Sequence, residues 1–230
     1  MRLCQCLPFA SWRGEDARCI HEAPRRMTTA APDGHDLAAR VAGVAAAGCF
    51  AAALAGFGAA LEGYGHAHWP VALLGAAGVP RAAGFNLLGY LMPGLLAGFV
   101  ALRRRAALPQ GAGLAARLGW SLALLAALAF AAQGLLPLDA SAPDAGRGRL
   151  HGVAWALWGI AFAAAAALLA VAAMRGRRPL AAFGHLGAGG LVFTLGWLAA
   201  EAVPAPLAQR LAFAAWFAWV ACVPWGRPMR

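Results

Sequence analysis

Histidines, carboxylates and amides crowd into three short stretches of an otherwise apolar chain. The first reads Glu62-Gly-Tyr64-Gly-His66-Ala-His68-Trp69-Pro70 and runs on to Phe85-Asn86. The second opens Gln133-Gly134-Leu-Leu-Pro137-Leu-Asp139 and ends at His151, and the third holds Glu201. Imidazole and carboxylate are common zinc ligands and the usual acid–base pair of hydrolysis. In an extended segment, His66 and His68 project to the same side, as two ligands of one ion would. His66, His68, Asp139 and His151 therefore form a candidate metal-hydrolase set. Asn86, Asp139 and His151, with the two loop histidines beside them, equally form a candidate ligand-binding set. Each also has a plainer use: Asn86 can cap a helix, Asp139 after Pro137 can make a turn, and Glu201 can be a helix-end charge.

His185 stands apart, inside an apolar run and a little over one turn from its end. Ionisable groups within a span are functional candidates. Its glycine-rich surroundings (Gly184, Gly187, Gly189, Gly190) predict a tightly packed helix. His151 and His185 enter from opposite faces, so they make a poor axial pair for haem, and the sequence names no cofactor. Cys4, Cys6, Cys19 and His21 lie in a polar N-terminal segment without zinc-site spacing. Cys49 and Cys222 sit in apolar runs, where cysteine packs as a small residue. No phosphate-binding loop, nucleophile elbow or HExxH helix is present. The net charge of +10 comes from 19 basic residues, all of them arginine. No basic face is interleaved with aromatics, so nucleic acid is not an expected partner.

The elements that must position these residues are membrane spans. The chain is 230 residues long, 62% hydrophobic and 12% charged, about half the charged fraction of an average soluble domain. Residues 41–61, 118–136 and 152–174 contain no Asp, Glu, Lys or Arg, and roughly 20 such residues cross a bilayer. The expected fold is an all-α, six-helix transmembrane bundle with spans at 38–61, 84–102, 118–137, 151–174, 180–200 and 207–225. Residues 1–36 are expected to be a disordered cytoplasmic tail, with Met27 an alternative start; residues 227–230 form a short C-terminal tail. If the spans alternate, one side receives Arg40, Arg103–Arg105, Arg117, Arg175, Arg177, Arg178, Arg227 and Arg230. The other side receives four arginines and every acidic residue beyond the tail. The positive-inside rule then places both termini in the cytoplasm.

Two small-xxx-small patterns, Ala52…Gly56 and Gly94…Gly98, predict close helix approach. Trp69, Trp120, Trp155, Trp158, Trp197 and Trp225 fall near span boundaries, as an interfacial aromatic belt would.

The stretch Leu74-Gly75 through Pro80 to Phe85-Asn86, with Pro93-Gly94 after it, resembles the opening signature of the family catalogued as domain of unknown function 998. The later Gly134-Leu-Leu-Pro137-Leu-Asp139 and His151 are similar to its second signature. This chain has Leu-Leu-Gly where many members carry a serine before the Leu-Gly pair. The resemblance implies a six-span bacterial or archaeal membrane protein, and it raises Asn86, Asp139 and His151 as a unit; it implies no substrate, reaction or cofactor. Three functions compete. The leading one is an external-facing polar pocket for a small or lipid-like ligand. The others are a metal-dependent lipid hydrolase within the membrane and a structural subunit whose polar residues merely cap helices.

Overall fold

The computed structural model describes residues 37–142, 144–199 and 202–226. The expectations for the N-terminal segment, for Glu201 and for the last two arginines lie outside the described residues.

Alanine, the strongest helix former, dominates six long runs, and Pro or Gly punctuates their ends. The result is six helices long and apolar enough to cross a membrane: α1 (Leu37–Ala60), α2 (Ala82–Ala106), α3 (Leu114–Leu135), α4 (Gly146–Arg175), α5 (Pro179–Leu198) and α6 (Ala205–Trp225). Pro179 and Pro206 occupy first-turn positions of α5 and α6, where a missing N–H costs nothing. Among the described residues there is no strand. Both described ends of the chain meet at one end of the bundle, where the Arg40 guanidinium lies 4.3 Å from the centre of the Trp225 ring. The clusters Arg103–Arg105 and Arg175 close α2 and α4 at this same arginine-rich end. The longer connections, with residues 61–81 and 136–142, form the opposite, loop end.

α2 is interrupted by a π-helical stretch, Asn86–Leu91, a rare geometry that needs a local cause. Pro93 supplies one. It has no N–H, so in the π register the carbonyl of Leu88, five residues earlier, loses its helical partner. The Cys49 thiol of α1 donates to that oxygen at 3.1 Å. Cys49 thus repairs the helix that Pro93 breaks, a role beyond the filling of space.

Small residues set the helix spacing. A Cβ at Gly94 would sit 2.7 Å from the backbone nitrogen of Ala131, so α2 and α3 approach at backbone distance, and Gly98 continues the seam against Leu124 and Ala127. A Cβ at Gly43 would meet the Val220 carbonyl of α6 at 2.7 Å. The Ala52…Gly56 pattern is different: space beside Gly56 is open and Ala52 is exposed, so that face of α1 packs against nothing among the described residues. The tight packing expected around His185 holds only at Gly189, which abuts Ala166; Gly184, Gly187 and Gly190 face open space.

With so much of each helix reduced to Ala and Gly, aromatic rings fill the centre. Phe130 lies 4.7–6.1 Å, centroid to centroid, from Phe50, Trp158, Phe213, Trp216 and Phe217. This corrects the aromatic-belt expectation. Trp120 and Trp158 are buried at 1% and 0% exposure, because an alanine bundle leaves a central volume that only large rings can fill. Trp69 and Trp225 do face outward. The outer surface is otherwise a band of exposed Leu, Val, Ile and Phe, including Val41, Leu95, Leu128, Ile160, Leu186 and Leu211, which is the surface a hydrocarbon solvent demands.

Candidate functional site

At the loop end the polar residues are engaged with backbone. Asn86 is buried at the start of the π stretch and its Nδ2 donates to the Gly75 carbonyl at 2.9 Å. A Cβ at Gly75 would overlap the Asn86 amide oxygen, so only glycine admits this bond. His151 is buried on the first turns of α4, with Nδ1 2.9 Å from the Leu136 carbonyl. A carbonyl only accepts, so Nδ1 carries the proton. The two loops pair through Ala77 N–H donating to Leu138 O at 2.8 Å. From α6, Gln209 accepts from Val71 N–H at 2.9 Å, and Arg210 donates to Trp69 O at 2.9 Å and to the Tyr64 hydroxyl. Burial raises the Tyr64 phenol above its ordinary pKa, and the Arg210 charge partly offsets this.

Asn86 and His151 are both buried at this loop end of the bundle. Tyr90, one turn beyond Asn86, lies 6.0 Å from the His151 ring, centroid to centroid. Asp139 does not join them. It turns back on its own loop, accepting from the Ser141 N–H at 3.0 Å and the Ser141 hydroxyl at 2.6 Å, and these bonds hold its carboxyl below the ordinary carboxylate range. His66 is exposed; its ring sits edge-on to Tyr64 at 5.3 Å and covers Gly58. His68 is exposed and packs beside Gly65. Among the described residues, no three His, Cys, Asp or Glu side chains are grouped to hold a metal ion. Gln133, legible in the sequence only as the start of a loop, is fully buried nearby, and neither amide atom has a partner among the described residues.

The opposite end offers a cavity. A cleft of about 440 Å³ opens between α5 and α6, within the range of roughly 300–1,000 Å³ typical of small-molecule pockets. Its walls are mainly apolar, with Ala188, Leu191, Ala215 and Trp219 prominent, and Arg104, Arg178 and His185 supply its polar side chains. Arg104 is anchored by a bond to Gly226 O at 3.2 Å. Trp219 Nε1–H donates to His185 Nδ1 at 3.0 Å. A neutral imidazole that accepts at Nδ1 carries its proton on Nε2. His185 therefore presents an N–H donor, and that donor has no partner among the described residues. His185 was visible in the sequence as an intramembrane histidine. Arg104 and Arg178 were legible only as topology markers, and nothing in the sequence joins positions 104, 178, 185 and 219.

A groove between α1 and α2, lined by Leu37, Val41, Leu96 and Phe99, has no polar side chain among the described residues. No protein-family model matches this chain, and no curated protein or solved structure does either. The class defined by the fold is an all-helical six-helix bundle of membrane-spanning length.

Proposed function

We propose that this is a six-span integral membrane protein that binds a lipid-like amphiphile non-covalently, in the cleft between α5 and α6. The observation that carries the proposal is the cleft's polarity: apolar walls, with Arg104, Arg178 and His185 as its polar side chains. An amphiphile has the same division. The cleft lies between two helices whose outer faces are apolar, so a ligand can enter sideways from the bilayer. The alternating arginine distribution supports an arginine-rich end in the cytoplasm. The resemblance to family 998 supports a bacterial or archaeal membrane as the setting.

The leading expectation of a lipid-like ligand is thus kept, and its site is moved from the loop end to the arginine-rich end. The bonds of Asn86 and His151 to loop carbonyls support a positioning role for both: they fix the loops that tie the helices together. A metal-dependent hydrolase would need a ligand cluster, and the described residues supply none.

Native mass spectrometry of the detergent-purified protein tests the proposal. Wild type should retain one lipid-sized adduct. Ala188→Trp, which places a large ring in the cleft, should lose it while keeping its thermal midpoint. Equal adducts on both proteins would overturn the proposal.

A further inference from the structure

The cleft's polar groups specify more than an amphiphile. Among the described residues, Arg104, Arg178 and His185 are its titratable lining groups besides the Cys222 thiol, and none is a carboxylate. Two are guanidinium cations. The third, His185, is only 6% exposed, and its Nδ1 is occupied by the Trp219 indole, which leaves the imidazole as an Nε2–H donor. Every one of these three groups can offer a hydrogen bond to an occupant. The donor set has one sign, and it calls for an acceptor-rich, negatively charged partner.

Depth divides the work among them. Arg178 immediately precedes α5, and Arg104 lies in the last turn of α2. Both stand at the arginine-rich end, where lipid head groups lie. His185 is about 9 Å further along the α5 axis from Pro179. The interfacial layer is about 6 Å thick on each side of the hydrocarbon, so the imidazole sits near the level of the glycerol esters. Below it the walls turn apolar, with Ala188 and Leu191.

We infer that the cleft is a site for an anionic glycerophospholipid, whose phosphate lies between Arg104 and Arg178 and whose ester carbonyl accepts from His185 Nε2–H. This rests on the cleft as the ligand site proposed above and names the class of lipid it takes. A zwitterionic choline lipid fits less well. Its quaternary ammonium needs a carboxylate or an open aromatic face, and among the described residues no carboxylate lines the cleft. The Trp120 ring already carries the Arg104 guanidinium, 5.7 Å from its centre.

The test uses full-length protein in nanodiscs of phosphatidylglycerol and phosphatidylcholine mixed in equal parts, released into the mass spectrometer. Wild type should carry one phosphatidylglycerol, with at least about tenfold preference over phosphatidylcholine, the scale of one charge-assisted hydrogen bond. Arg178→Gln should reduce that preference by about tenfold. Arg104→Gln should act alike, and Arg178→Gln keeps the test usable if loss of the Gly226 contact prevents the Arg104 variant from folding. His185→Phe should weaken both lipids equally, because both have ester carbonyls. Equal retention of the two lipids by wild type, abolished by Ala188→Trp, would overturn the head-group assignment and leave the cleft reading standing. No retained lipid would overturn both. A dimer without lipid, dissociated by Ala188→Trp, would also overturn both and make the cleft an interface between copies of this chain.

Discussion

The two ends of this bundle hold similar residues and use them in opposite ways. At the loop end, Asn86 and His151 are buried donors, and each meets a backbone carbonyl. At the arginine-rich end, His185 is equally buried, but its acceptor nitrogen is taken by Trp219 and its donor nitrogen has no partner among the described residues. One histidine holds a loop; the other lines a cavity. The difference lies in which nitrogen the neighbouring group occupies, and therefore where the remaining proton points. Of the two histidines, the one that lines a cavity is the one whose donor nitrogen the described residues leave unspent.

This contrast predicts that substitutions at the loop end and in the helix seams change stability, while those in the cleft change binding. The largest effect is expected at Gly94, whose neighbour is the Ala131 backbone. Gly94→Leu must push α2 from α3 and should cost about 3 kcal/mol, measured by denaturant titration in detergent micelles. Asn86→Ala should cost about 1–3 kcal/mol, since it leaves the buried Gly75 carbonyl unpaired, and should leave lipid retention unchanged. His185→Phe should show the reverse balance: about 1 kcal/mol from the lost Trp219 acceptor, with a severalfold fall in retained lipid. If Asn86→Ala removed the lipid and His185→Phe did not, the division between the two ends would be wrong.

Smaller effects sharpen the account. Gln133 is buried without partners among the described residues, so Gln133→Met, close to it in shape, should raise stability by about 1 kcal/mol; a fall would reveal an internal partner for the amide. The smallest effect concerns Asp139. Its folded pKa lies below the ordinary 3.8 because Ser141 donates to the carboxylate. A depressed carboxyl stabilises the fold above its unfolded pKa, and that contribution disappears as pH falls through the folded value. Ser141→Ala should return the Asp139 titration toward 3.8, seen by NMR of a labelled aspartate, with little change at neutral pH.

The spans were legible because crossing a bilayer is a one-dimensional constraint. A run of apolar residues and its closing arginines suffice, and every helix core was placed, with the predicted ends shifted by up to five residues. The Gly94…Gly98 seam was legible for a similar reason, since small residues at that spacing share one helix face. The tryptophans were misplaced because hydropathy locates a residue along a helix and says nothing of which face it takes; Trp120 and Trp158 turn inward to fill a centre that alanine cannot. The sequence groups Asn86, Asp139 and His151 as one unit, whereas Asp139 bonds within its own loop, and the carbonyls that Asn86 and His151 meet are backbone atoms that no motif displays. The cleft was illegible. Its residues come from the end of α2, the start of α3, much of α5 and the last turns of α6, and only helix packing brings them together.

The cleft is also where the central claim is most exposed to test, because Cys222 lines it and is exposed at its surface. Alkylation of Cys222 by a small maleimide, followed by peptide mass spectrometry, can be timed in phosphatidylcholine nanodiscs containing increasing phosphatidylglycerol. The account predicts that labelling slows and reaches a plateau as the anionic lipid fills the cleft, and that Arg178→Gln shifts the plateau to higher phosphatidylglycerol. A labelling rate indifferent to phosphatidylglycerol in the wild-type protein would contradict it.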